Sequence, residues 1–158
     1  MKNIRIFSSL SILIIIVSLI TSGCRTHKNT SAIEMSSSLD SVQIYLKKGN
    51  LKLDRFKYEE ALILFNKVIK IDPENGQAYA YRGMAEYHLK DFKGALEDFD
   101  SALKIIPDYG EVYDLRGIVK NEMGDKIGAC EDWNKSYELG FSGAFELIDK
   151  FCNEENKK

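Results

Sequence analysis

Histidine is nearly missing from this sequence: His27 and His88 are the only two in 158 residues. His27 falls in a Ser/Thr/Asn-rich stretch with no apolar period, which leaves His88 as the one imidazole base a folded site could use. The chain has no Gly-x-Ser-x-Gly turn, no Gly-rich phosphate loop and no His-Glu-x-x-His pair. Cysteine is limited to Cys24, Cys130 and Cys152, with no histidine near the last two, so the three or four close ligands of a structural zinc are not there. Charge is short of any excess: 22 Lys+Arg against 24 Asp+Glu gives a net −2, with no basic footprint for nucleic acid. These shortages argue against an enzyme. No catalytic residue, metal, cofactor or small-molecule substrate is expected, and His88 is read as an exposed helix residue.

A membrane-spanning run is also lacking. After Lys2 and Arg5 the uncharged stretch reaches only from Ile6 to Ile20, fifteen residues, where a helical span needs about 20. A basic start, a short apolar segment and the small residues Ser22 and Gly23 describe a secretory signal peptide over 1–23. Because the small residues run directly into Cys24, the segment resembles a bacterial lipoprotein signal. That resemblance implies cleavage before Cys24 and attachment of diacylglycerol to its sulfur. The protein would then sit in the bacterial cell envelope, facing the periplasm or the cell surface. An ordinary cleaved signal, or an uncleaved anchor with Cys24 incidental, is the alternative. Loss of Lys2 and Arg5 takes the net charge from −2 to −4. Residues 24–41, crowded with Ser, Thr and Asn, read as a flexible tether, with a mean reach of roughly 20–25 Å.

What the remainder does have is a period. Tyr45, Tyr79 and Tyr113 are 34 residues apart, as are Gly49, Gly83 and Gly117, and Ala61, Ala95 and Ala129. Phe65, Phe99 and Trp133 keep the same spacing, and the chain's two prolines, Pro73 and Pro107, are 34 apart as well. Each unit reads as two helices, the second closed by the proline at Ile71-Asp72 and Ile105-Ile106. Gly83 and Ala95 let the paired helices approach, and Phe99 fills the space above them. A single helical pair cannot bury its apolar face, so a core requires stacked units.

A 34-residue unit carrying an aromatic, then Gly, Ala-x-x-x-Phe and Pro resembles the tetratricopeptide repeat. Three units are implied, 42–75, 76–109 and 110–143, the third with Phe141 in place of the proline. The family's Leu before the glycine is here Lys48, Arg82 and Arg116, and the Tyr three residues after it is Lys52, Glu86 and Lys120. Leu51, Ala85 and Val119 are therefore expected to carry the packing of the first helices. Ala144, Phe145, Ile148 and Cys152 at helical spacing suggest a capping helix over 142–152, followed by a frayed tail, 153–158. The expected fold is all-α: an α-solenoid of three tetratricopeptide units with a C-terminal cap.

The resemblance implies a groove along the first helices, with Asn50, Leu53, Gln77, Met84, Tyr87, Ile118 and Asn121 as its peptide-contacting residues. Gln43, Leu46, Asp54, Ala80 and His88 extend it, and Glu111, Asp114 and Glu122 make one end acidic. Chaperone-binding members hold a peptide carboxylate with Lys, Arg and Asn side chains. The matching positions here are Leu46, Asn50, Tyr81, Glu111 and Leu115, which fit such a clamp only at Asn50. Glu97, Asp98, Asp100, Glu131 and Asp132 recur with the repeat and read as a solvated outer face. Cys130 and Cys152 lie about equally far from the turn near Gly140-Phe141, so an antiparallel helix pair would hold them level. In an oxidising compartment a Cys130–Cys152 disulfide is expected, the alternative being two buried thiols. The function implied is a non-catalytic, lipid-anchored module that binds a protein or peptide partner, with a pilotin-like assembly factor for an outer-membrane complex as the alternative.

Overall fold

The computed structural model describes residues 39–153. The signal segment, Cys24, His27, the tether up to residue 38 and the tail from residue 154 lie outside the described residues. Helix α1 occupies residues 39–53. It is followed by α2 (Tyr58–Ile71), α3 (Gly76–His88), α4 (Phe92–Ile105), α5 (Gly110–Glu122), α6 (Lys126–Glu138) and α7 (Ala144–Leu147), which runs on as a π-helix, Ile148–Cys152. No strand occurs among the described residues. The helices pair as α1/α2, α3/α4 and α5/α6, giving an α-solenoid of three helix–turn–helix units closed by the short C-terminal segment.

Residues 39–41 are helical, a correction to the tether boundary at 41. Val42 and Leu46 are buried and anchor α1. Extending a formed helix by three residues adds hydrogen bonds without a new nucleation cost.

The repeat residues do the packing. Phe65, Phe99 and Trp133 are at most 1 % exposed, and Ala61, Ala95 and Ala129 are fully buried. Each aromatic packs against the glycine of its own unit. A Cβ on Gly83 would stand 2.8 Å from the Phe99 ring, one on Gly117 2.6 Å from Trp133 Nε1, and one on Gly49 would collide with Phe65. Glycine at this position is thus a steric requirement, since real Cβ contacts do not fall below about 3 Å. At the position of Val68 and Ala102 the third unit has Ser136, fully buried, whose hydroxyl donates to Gly110 O at 2.8 Å. Asp91 and Asp125 cap α4 and α6 by accepting from the Gly94 and Gly128 amides. The turn residues Phe56, Lys90 and Gly124 share one repeat position, and all have positive φ (58°, 67° and 89°).

Two expectations about packing are corrected. Ala85 and Val119 are buried, but Leu51 is 45 % exposed; Val42 and Leu46 fill the core in its place. Asp98 and Asp132 do not belong to a solvated face, for each is 4 % exposed. Arg82 Nε and Nη2 donate to Asp98, both at 2.7 Å, and Nη1 donates to Asn66 of the preceding unit. Arg116 repeats the arrangement, donating to Asp132 at 2.9 and 2.6 Å and to Asp100 of the preceding unit at 2.6 Å. The arginines that replace the family's leucine in the second and third units therefore form a ladder running inside each of these units and across to the preceding one. A guanidinium fork matches a carboxylate in two bonds at once, which a lysine cannot do.

The capping helix starts at Ala144, not residue 142, and widens to a π-helix after one turn. Phe145, expected on its inner face, is 58 % exposed and lies 6.0 Å from the Tyr137 ring. The inner face is instead Ala144, Leu147, Ile148, Phe151 and Cys152, packed around Trp133 and Ala129, with the Phe151 and Trp133 rings stacked at 5.6 Å. These residues follow the 3- and 4-residue spacing of one helix face, which Phe145 breaks. Cys130 and Cys152 are joined by a disulfide, with Cα atoms 5.7 Å apart, tying the cap to α6.

Candidate functional site

A concavity runs along α1. It has a volume of about 770 Å³ and is lined by Gln43, Ile44, Leu46, Lys47, Lys48, Asn50, Leu51, Asp54 and Gln77. The helix geometry explains this composition. Gln43, Leu46, Asn50 and Asp54 recur every three or four residues and so form one stripe, to which the first turn of α3 adds Gln77. Leu46 is at once 6 % exposed, part of the core around Phe65, and a wall of this groove. Asn50 Oδ1 is buried without a hydrogen-bond partner. An amide acceptor in that state lacks the hydrogen bond that burial normally requires.

Of the seven groove residues drawn from the repeat register, Asn50 and Gln77 meet in this concavity. Leu53 is half-buried against the core of the first unit, Met84 and Tyr87 against that of the second, and Ile118 against the cluster around Trp133. Asn121 is half-buried on α5. Tyr87 has its ring 6.0 Å from Phe92 and 5.2 Å from His88, with Lys90 Nζ over its face at 5.6 Å. Tyr87 is thus set into the array rather than projecting from it. His88 is exposed and stacked on Tyr58 at 4.5 Å. Burial, and then Lys90, lower its pKa. No group of three or more metal-ligating side chains occurs among the described residues.

The charges carried by the first helices differ along the array. Lys47 and Lys48 lie along α1 beside Asp54. On α5 the matching stripe is Glu111, Asp114, Ile118, Asn121 and Glu122. Asp114 is 9 % exposed and its Oδ1 is buried without a partner. Burial, and then the Glu111 charge, push its carboxyl pKa up. Sequence reasoning placed Asp114 in the groove but not its burial, because the side chain's neighbours come from elements distant in the chain. A third buried acceptor, Glu86 Oε2, sits next to the Arg82–Asp98 pair. Burial first and the Asp98 charge second push the Glu86 carboxyl up to about 7.

This architecture, with its helix pairs and its face of first helices, defines the tetratricopeptide solenoid. Residues 42–75 and 76–109 each match the tetratricopeptide repeat. The first such domain of Spaghetti (RPAP3), solved with the HSP90 peptide SRMEEVD, is similar at a TM-score of 0.69 and 25 % identity, over 72 % of this chain and 92 % of that one. The first domain of the human RPAP3 protein gives 0.68 and 25 %, over 71 % and 90 %. The second domain of human RPAP3, in complex with the HSP70 peptide SGPTIEEVD, gives 0.67 at 22 % identity, over 72 % and 97 %. No functionally curated protein matches the sequence.

Proposed function

We propose that this chain is a non-catalytic interaction module whose first-helix groove binds a peptide or helix of another exported protein, and that a lipid on Cys24 holds it at the bacterial envelope. The observation that carries the binding reading is the groove itself: about 770 Å³ along α1, walled by Leu46 and edged by Asn50 with its unpartnered Oδ1. An apolar wall with a few unsatisfied polar groups suits an extended segment, whose side chains bury area while its backbone supplies N–H donors. Similarity to a domain solved with a seven-residue peptide supports peptide binding by this fold. The charge differs, however. Leu46, Tyr81, Glu111 and Leu115 occupy the positions at which a carboxylate clamp carries Lys, Arg or Asn, so acidic chaperone tails are not the ligand proposed.

Lipidation rests on the sequence alone, on Cys24 directly after the small residues of the signal. Two or three acyl chains would anchor the chain stably, each buried methylene contributing about 0.8 kcal/mol. Both halves can be tested in one preparation. Crosslinking from intact membranes should return a partner that Asn50→Leu and Gln77→Ala variants lose, while Cys24→Ser should release the protein into the soluble fraction or leave the precursor uncut. A mature wild-type protein found wholly in the soluble fraction would remove the anchor, and unchanged crosslinks in both groove variants would remove the groove.

A further inference from the structure

Asp114 occupies the repeat position of Leu46 and Ala80, both buried. In the first unit that position forms the wall of the groove. The third unit places a carboxylate there, nine-tenths buried, with no donor for Oδ1. The charged group acting on it is another acid, Glu111, one helical turn earlier. The arginines near this end are already engaged, Arg116 with Asp132 and Asp100. An unpaired buried carboxylate costs stability, and perturbed ionisable groups cluster at functional sites. Resting on the groove reading above, we propose that Asp114, backed by Glu111, receives a cationic side chain, lysine or arginine, of the bound segment. The groove would then select peptides of the opposite charge to the acidic-ended SRMEEVD held by the similar domain.

The span from α1 to α5 is two inter-helix steps of about 8–10 Å, which an extended chain at about 3.3 Å per residue crosses in about six residues. A segment contacting Asn50 at one end therefore reaches Asp114 within a heptapeptide. The probe follows from this length: heptapeptide mixtures randomised at six positions, with one terminal position fixed in turn as lysine, norleucine or glutamate. Fluorescence anisotropy against the full chain should show the lysine-fixed mixtures binding about tenfold or more tighter than the norleucine-fixed ones, and the glutamate-fixed ones weakest. Asp114→Asn should bring the lysine-to-norleucine ratio close to one, and Asp114→Glu should retain the preference. Asp114→Asn should also melt a few degrees higher, because it removes a charge that has no partner in the free protein. A lower melting temperature would mean that Asp114 is held by the fold, and would overturn the proposal. A preference that survives Asp114→Asn, or its absence in the wild type, would leave the groove standing and dismiss the cation site. Binding of no mixture would dismiss both.

Discussion

Replacing Asp132 by asparagine should cost far more than the same change at Asp98, although the two aspartates occupy one repeat position and are equally buried. The difference lies four residues beyond each arginine. In the third unit that residue is Lys120, whose Nζ is 2.8 Å from Asp132 Oδ2, so Asp132 alone serves two cations. Removing its charge leaves Arg116 and Lys120, with side chains 18 % and 22 % exposed, facing each other. Breaking a buried pair from one side costs about 3–5 kcal/mol. The lower end applies here, because both cations keep some water and Arg116 keeps Asp100. About 3 kcal/mol corresponds to a melting temperature lower by roughly 10 °C for a domain of this size. In the second unit the residue is Glu86, a partly buried carboxyl already interacting with Arg82. When Asp98 is neutralised, Glu86, already largely ionised at pH 7.5, is left to pair with the guanidinium, limiting the loss to about 1 kcal/mol. Urea unfolding of the two variants at pH 7.5 measures both numbers. Equal losses, or a larger one at Asp98, would refute the reasoning, since they would mean that the residue beyond the arginine does not decide the pair's energy.

Three further outcomes follow from the same geometry. Reducing the Cys130–Cys152 bridge should lower stability by roughly 3 kcal/mol in the chain-entropy model, seen as an earlier melt with a red shift of Trp133 emission as the cap lifts; an unchanged melt in reductant would show that the cap holds by packing alone. Glu86 has its pKa raised in the folded state from 4.5 to about 7, so the fold binds the extra proton: its contribution is complete below pH 4.5 and is lost as the pH rises through about 7. Glu86→Gln should remove that slope, which amounts to about 1 kcal/mol once partial exposure is allowed for, and parallel pH–stability curves for wild type and variant would contradict this. Gly117→Ala should cost about 1–3 kcal/mol by overpacking against Trp133 and disturb its Nε1 bond to Asp114 O, whereas a neutral change would mean that the helix pair can open at no cost.

The fold was largely legible because its information is local and repeated. Gly49, Gly83 and Gly117 and the aromatics above them state one packing contact three times, and Pro73 and Pro107 mark where helices must stop. The misreadings have a common origin. Asp98 and Asp132 look solvent-facing when their own helices are considered, and become core residues only when Arg82 and Arg116 cross from the partner helix. Phe145 is the bulkier residue near the start of the cap, but Phe151 reaches Trp133 because the helical face runs through Ala144, Leu147 and Ile148. In the candidate site, the repeat register led to Asn50 and Gln77 at the concavity, but Leu53, Met84, Tyr87 and Ile118 pack against the cores instead. The repeat register could assign Asn50 and Asp114 to a groove, but burial without a hydrogen-bond partner depends on atoms from several units at once.

The disulfide has a consequence for how the molecule comes apart. A stack in which each unit touches only its neighbours unravels from its ends, and here one end is fastened, because Cys152 is tied back to α6. Opening must then begin at α1, where Ile44 and Leu51 are 50 % and 45 % exposed. Amide exchange should form a gradient, fastest in α1 and slowest around Trp133, and limited proteolysis should nick the turn at 54–57 before any turn nearer the cap. The groove along α1 lies at the end opposite the disulfide, so a segment seated in it would fasten that end of the array as the bridge fastens the other.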